Sequence, residues 1–426
     1  MATTFKRGSV NPNLIPQMWS KDDFKMAFNA NPLSPFMGAD ENCVIQIMPG
    51  LDGRDKKGDK ITWALVGLDN SSGQGDDGDY EGNEAGMTFY EDSIQIHERG
   101  HAQKINGKMT EKSAYDNLRP KARRVLSDWV GRVQAADIIS AASGLATTAI
   151  MGKATGALAV ATGSTNKYIE TVNATPIVKG QTALRSFIGG QTTAGVVTRV
   201  ANHSEIATTA TNFLMGTQVI ERVRRMAQED YYINSAGEAV SISPIRPIMI
   251  NGKAHYLLLV DKLQIKALRK ETAFLNALTY AADRGKENPL FYAVDYIWNN
   301  VLIKETELLH KRTGTSSTSD LSLLRGEWFE GLGTGGVATT ADRVGSGITV
   351  CRSLFLGAQA VGLAWGQKPT WSGGYSDSPH NTKFVEHTDM IYGVKKATFA
   401  IGDGGANIDY GCITVDTAVV LDSTDD

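Results

Sequence analysis

Two runs decide how this chain is read: Asp59-Lys60-Ile61-Thr62-Trp63-Ala64-Leu65-Val66 and Met87-Thr88-Phe89-Tyr90-Glu91-Asp92-Ser93-Ile94-Gln95-Ile96. Both are rich in β-branched and aromatic residues, which suit a pleated, half-buried surface. Between them, 69–86 is a tip of Gly, Asp, Asn and Ser in which Tyr80 is the one packing residue. The stretch 59–104 therefore reads as a long β-hairpin, with limbs of about ten residues that reach roughly 30 Å at strand rise. A two-stranded ribbon is marginal alone in water. Limbs of this length are expected to rest on another surface, a first sign of a partner.

Downstream, Leu118, Ala122, Val125, Leu126, Trp129, Val133, Ala136 and Ile139 recur at three- and four-residue steps. Lys121, Arg123, Arg124, Asp128 and Arg132 lie off that stripe, which predicts a helix over 117–143. Pro120 suits its first turn and Gly144 its end. At ~1.5 Å per residue the helix is about 40 Å long, unusual in a globular domain. Upstream, Asn11-Pro12, Ile15-Pro16, Asn31-Pro32 and Ser34-Pro35 break residues 1–48 into an arm with room for one short helix, capped by Ser20 after Trp19. Phe24, Met26, Phe28, Phe36 and Met37 are too many apolar anchors for a solvated tail, so the arm is expected to lie on its own surface or a neighbour's.

Further on, 145–205 is Ala/Thr/Gly-rich and shows no clear period. A second helix is predicted over 212–228, with Phe213, Ile220, Val223 and Ala227 on one face. Pro247 to Ile250, the turn Asn251-Gly252 and Tyr256 to Val260 form a hairpin with a preferred two-residue turn, and Asp261 caps a helix carrying Leu263, Ala267 and Leu268. The stretches 313–320, 331–347 and 366–388 read as loops, and 391–400 and 412–421 as closing strands. The order is mixed α+β without regular βαβ alternation.

Composition narrows the class. At 426 residues and 42% hydrophobic, the chain is neither disordered nor fibrous, and its length suits two or three domains. No run approaches the ~20 apolar residues of a membrane span, so no membrane role is expected. Three scattered cysteines argue against a disulfide scaffold. A net charge of −3 argues against a protein that grips nucleic acid with massed cations. The 44 glycines, against 12 prolines, suggest many tight turns and long loops.

Several motifs invite chemistry and lose on context. His97-Glu98-Arg99-Gly100-His101 matches H-E-x-x-H, the pattern of a zinc-dependent hydrolase, in which histidines on one helical face meet one zinc. Here it continues an alternating strand, where residues i and i+4 lie about 13 Å apart and cannot share an ion. Gly331-Leu332-Gly333-Thr334-Gly335-Gly336 has dinucleotide spacing without the strand before it or the helix after it. Asp77-Gly78-Asp79-Tyr80-Glu81-Gly82 begins like a calcium loop, but Thr88 stands where a bidentate Glu is required. Arg119, Lys121, Arg123 and Arg124 crowd the helix start, an unfavourable end for cations. They form either a solvated face or one half of an ion pair with another subunit. No Ser-His-Asp, Cys-His or paired-carboxylate pattern stands out, so no enzymatic role, catalytic residue, metal or cofactor is expected.

Several ordered blocks resemble one family, the major capsid proteins of tailed bacteriophages typified by coliphage N-four. They include Met18-Trp19-Ser20-Lys21, Glu81-Gly82-Asn83-Glu84, Lys108-Met109-Thr110-Glu111, Leu257-Leu258-Leu259-Val260-Asp261, Asn288-Pro289-Leu290-Phe291, Leu356-Gly357-Ala358-Gln359-Ala360 and Tyr410-Gly411-Cys412-Ile413-Thr414-Val415-Asp416. The resemblance implies the Hong Kong 97 capsid fold. Its parts map to an N-terminal arm (1–48), an extended loop (49–105) and a peripheral domain (106–205) with a spine helix at 117–143. An axial domain (206–390) and returning strands (391–426) complete it. It further implies assembly into hexamers and pentamers of an icosahedral head around double-stranded DNA, touched without sequence specificity. A portal, a separate scaffold and a decoration or cement protein are implied partners, and the virion, built in the host cytoplasm, is the implied location. Trp63 and Phe89 are then expected to anchor the loop, Asp77, Asp79, Tyr80 and Glu81 to meet a neighbour, and Trp19, Phe24 and Phe28 to pin the arm. Arg123, Arg124 and Trp129 mark the spine helix. A tube or internal head protein of a virion is the alternative class.

Overall fold

The computed structural model describes residues 33–49, 58–67, 86–105, 108–113, 118–143, 185–200, 212–233, 239–280, 294–309, 311–313, 348–375, 383–400 and 408–420, with Gly75, Glu81, Glu84 and Ile206. The expectations for Trp19, Phe24, Phe28, Asp77, Asp79 and Tyr80, and the loops at 314–347, lie outside these residues. The chain divides into two compact units. One comprises Met1–Ala30, Gly100–Gly131 and Thr370–Asp389, the other Asn31–Arg99, Arg132–Pro369 and Met390–Asp426.

The second unit is built on a large mixed sheet. Its strands run in the order Tyr296–Trp298, Val301–Glu305, Lys253–Val260, Thr349–Leu356, Cys412–Val419, Ser186–Gln191 and Val197–Arg199. All eight residues of Thr349–Leu356 and all eight of Cys412–Val419 are buried, so both faces of these strands are covered. Strands covered on both sides need no alternation of apolar and polar residues, and the charges they do carry, Arg352 and Asp416, are paired with each other. On one face, Val219, Ile220, Val223 and Met226 of the helix Thr217–Gln228 and Ile265 and Leu268 of the helix Lys262–Arg269 pack against Phe187, Leu258, Phe355 and Ile413.

Local signals hold well here. Ile250 pairs with Lys253 across the Asn251–Gly252 turn, both turn residues having positive φ. Asp261 accepts a hydrogen bond from the Leu263 backbone N–H while Gln264 accepts one from the Asp261 N–H, a complete capping box. The helix predicted from 212 begins at Thr217 instead. Its N-cap is Gly216, without a side chain, so Glu271 supplies the missing acceptor: Thr217 donates to it through both its N–H (2.8 Å) and its hydroxyl (2.5 Å).

A five-stranded sheet runs in the order Met37–Gly38, Ile45–Pro49, Val361–Tyr375, Phe384–Lys396 and His97–Ile105. This corrects the loop reading of 366–388, because 366–375 and 384–388 belong to long strands. Glycine misled the reading: at Gly366 a Cβ would come within 2.7 Å of Ile96 and 2.9 Å of Ile391. Its role is close approach between strands, not turning. The hairpin is also shorter than expected. Lys60–Val66 pairs with Phe89–Gln95 in the register Lys60↔Gln95 to Val66↔Phe89, after which His97–Ile105 leaves to join the five-stranded sheet. The long helix spans Leu118–Ser143, with Leu126, Val133, Ala136 and Ile139 buried as the periodicity predicts. Val125 departs from the stripe and is exposed.

Candidate assembly interface

The hairpin has two unlike faces. Trp63, Leu65 and Tyr90 turn inward and pack on Ala397, Phe399 and Tyr410. A cavity of about 330 Å³ lies beside them, walled by Ile47, Met48, Ile61, Trp63, Val361 and Phe399. Trp63 thus anchors the hairpin root, and it does so on its own chain. Phe89 does not: it faces outward and is 61% exposed, beside its cross-strand partner Val66 at 51% and Met87 at 72%. The strand register places Phe89 on the face opposite Trp63, so it makes no anchor on its own subunit and stays open to another surface. Glu81 is exposed.

Two polar contacts pin the limb that returns from the hairpin. The first is Asp92, which accepts from Lys395 Nζ at 2.5 Å and from the Thr398 N–H at 3.2 Å, while Lys395 also donates to the Ser93 carbonyl at 2.9 Å. The second is a buried hub in which Asp137, on the long helix, accepts hydrogen bonds from both Arg99 and the Tyr392 hydroxyl. Arg99 also lies 3.1 Å from Tyr392 Oη. Burial raises the Asp137 carboxyl above its ordinary range, more than Arg99 and Tyr392 lower it. Burial and the facing carboxylate likewise raise the Tyr392 phenol.

The two ends of the long helix differ. Its first turn holds no acid, and Arg123 and Arg124 are exposed. Arg123 lies 3.4 Å from the buried carboxylate of Glu386, and the Arg119 guanidinium sits 4.0 Å from the centre of the Phe384 ring. Part of the acidic complement to the basic start is therefore in the same chain, where the sequence left a solvated face or a second subunit open. Trp129 stacks against His101 at 4.9 Å. At the other end, residues 135–143 are all buried. The Ser143 carbonyl accepts from Arg352 (3.3 Å) and the Ala142 carbonyl from the Cys412 thiol (3.2 Å), which satisfies orphan acceptors at the negative pole of the helix. Arg352 is in turn held by Asp416 through two bonds of 2.7 and 2.6 Å.

Sequence reasoning missed the Asp92, Asp137, Glu386 and Asp416 contacts. A usable signal was present for two of them. Asp137 sits inside Ala135-Ala136-Asp137-Ile138-Ile139, and Asp416 inside a strand otherwise without charge. An acid within a run destined for burial implies a cation brought from elsewhere in the fold. His97 and His101 lie on the strand His97–Ile105, as their alternation predicted. Among the described residues no three His, Cys, Asp or Glu side chains converge to hold a metal.

This is the geometry of a subunit with a two-stranded hairpin that packs on its own chain through one face, an uncovered apolar pair on the other, and a long helix with a basic start. Solved structures show the same fold. The capsid of Ralstonia phage GP4 superposes with a TM-score of 0.67 at 20% identity, covering 99% of both chains. The capsid asymmetric unit of cyanophage Pam1 gives 0.61 at 19%, covering 98% of this chain and 100% of that one. The expected Hong Kong 97-type fold is thus the fold observed. In sequence, the chain is 24% identical over 400 residues to the major capsid protein of Pseudomonas phage KPP25, covering 93% of each. The family model described as phage capsid protein matches residues 9–421, so the chain belongs to the phage capsid protein family, whose members are structural proteins of the virion.

Proposed function

We propose that this chain is a major capsid protein that closes, as hexamers and pentamers, into the icosahedral head of a tailed double-stranded DNA phage. The observation that carries the reading is the hairpin: anchored on its own chain through Trp63, it presents Val66, Met87 and Phe89 to solvent. An exposed apolar rung on a thin ribbon is a poor design for a lone subunit and a good one for a ribbon laid on a second copy. Repeated around a closed shell, many modest contacts of this kind sum to a firm assembly.

In this reading the residues before 49 and the hairpin reach adjacent subunits. Trp19, Phe24 and Phe28 pin the arm, while Phe89 with Asp77, Asp79, Tyr80 and Glu81 meets a neighbour. Arg123, Arg124 and Trp129 lie on the spine helix of the peripheral domain (106–205), and 206–390 forms the axial domain. A portal occupies one vertex, a separate scaffold and a cement protein are further partners, and assembly takes place in the host cytoplasm. Near-neutral charge suits a wall that encloses DNA without holding it. Negative-stain microscopy of the expressed full-length chain tests the proposal. Closed shells are the expected result, whereas rings or tubes would assign the chain to a tube or internal head role.

A further inference from the structure

One face of the large sheet is clad by two helices whose outer sides are unlike the chain as a whole. Thr217–Gln228 carries Arg222, Arg224 and Arg225 against Glu221, and Lys262–Arg269 carries Lys262, Lys266 and Arg269 with no acid. Six cations thus stand beside one acid, in a chain whose formal net charge is −3. The stripes that pack on the sheet, Val219, Ile220, Val223 and Met226 on one helix and Ile265 and Leu268 on the other, are apolar. The charges are therefore left on the outer side. Arg225, Lys262 and Arg269 are exposed, and Arg222, Arg224 and Lys266 are half-buried. Arg199, on the strand Val197–Arg199 at the edge of the sheet, extends the patch. Desolvation and then the neighbouring Arg222 charge lower its guanidinium from the ordinary value, against Glu229.

Two of these arginines are braced by neutral oxygens. Arg224 donates to the Asn299 side-chain oxygen, and Arg269 to the Tyr296 hydroxyl, with its guanidinium 5.4 Å from the centre of that ring. Such bracing holds a guanidinium in place without cancelling its charge. Glu271, the acid that follows the second helix, is engaged by Thr217 and Gln191. Among the described residues, no exposed large apolar side chain belongs to either helix. A protein interface carries an apolar core inside a polar rim, and this face has no such centre. Phosphate contacts need only cations, and the planar fork of arginine suits them.

We propose that this helix-clad side of the large sheet is the inner wall of the shell and binds the phosphate backbone of double-stranded DNA without regard to sequence. The proposal rests on the capsid reading above and deepens it, by assigning the side of the subunit that meets the genome. Repeated in every subunit, a patch of a few cations gives contacts that are weak singly and fade with salt. The attraction is confined to one side of a chain that is negative overall, so DNA is lined without being gripped.

Fluorescence anisotropy of the full-length chain with a labelled mixed-sequence duplex of about 30 base pairs, below the concentration at which shells form, tests the idea. The logarithm of the wild-type affinity should fall linearly with the logarithm of salt, each phosphate contact adding about 0.9 to the slope. Arg222→Gln, Arg225→Gln and Lys262→Gln combined should reduce that slope by about 2–3 and weaken binding about tenfold or more at low salt. Glutamine keeps the helix propensity, and an unchanged thermal midpoint shows that the variant folds. Arg123→Gln with Arg124→Gln removes two exposed cations from the long helix and should change the slope far less. A wild type that binds no duplex, a triple variant with the wild-type slope, or an Arg123/Arg124 variant that loses as much per charge would overturn the proposal. If the triple variant does not fold, Arg225→Gln alone decides: its slope should drop by about 0.9, and an unchanged slope rejects the DNA face. A triple variant that binds duplex normally but no longer closes shells would assign the face to a contact between copies instead. Microscopy keeps the two readings apart. Tubes in place of shells, with the slope still lowered by the triple variant, would refute the head and leave the DNA-binding face standing.

Discussion

Arg352 and Asp416 show what one buried pair does at the inner end of the long helix. The pair is bidentate and nearly solvent-free, with side chains 5% and 0% exposed, and the spare arginine donor reaches the Ser143 carbonyl. Breaking such a pair from one side strands a buried charge and costs about 3–5 kcal/mol, whereas replacing both partners with apolar groups of similar volume costs far less. Arg352→Met or Asp416→Asn alone should therefore lower the denaturant midpoint of the subunit strongly, and Arg352→Met combined with Asp416→Leu should recover most of it. The thiols make a second prediction at this scale. Burial pushes Cys412 up to about 12, and its sulfur donates to the Ala142 carbonyl, so it is neither exposed nor nucleophilic. Cys351 is buried, while Cys43 is partly exposed. Titration with a thiol reagent should find Cys43 reacting first in the native protein, and all three cysteines in denaturant.

Among the elements, the hairpin separates folding from assembly. Phe89 and Val66 contribute little to their own subunit, so Phe89→Ser and Val66→Thr should change its unfolding free energy by no more than about 0.5 kcal/mol. The same changes should cut the yield of shells seen by microscopy. Deleting 69–85 should go further and leave a folded subunit that fails to assemble, and normal shells from that deletion would refute the role assigned to the loop. The hairpin, the long helix and the Asn251–Gly252 turn were legible because their signals are local: alternation, a 3.6-residue stripe and a two-residue turn. The long strands through 366–388 were not, because Gly366 and Gly373 resemble loop residues until a partner strand is seen to approach. The basic helix start was visible in sequence, but its partners Glu386 and Phe384 come from more than 250 residues away, and no spacing rule reaches that far. The outward turn of Phe89 was equally hidden, since a strand's two faces are assigned only when its register is known.

For the whole molecule, assembly should raise stability by mass action, because neighbours bind the folded subunit and not the unfolded chain. Shells purified from the full-length chain should therefore unfold at a higher temperature than the subunit lacking 69–85, and dilution should lower the wild-type midpoint wherever subunits and shells exchange. The same scale explains how a fold shared with the Ralstonia phage GP4 capsid at a TM-score of 0.67 persists at 20% identity. The strands Thr349–Leu356 and Cys412–Val419 are covered on both faces. A strand in that position asks of most side chains only that they be apolar or small, since neither face must stay wet. Exchanges there that keep volume, such as Ile for Leu or Leu for Met, should therefore cost little stability. The slow-changing record should instead be held by the few residues that cannot be swapped singly, such as Arg352 with Asp416, and Asp137 with Arg99.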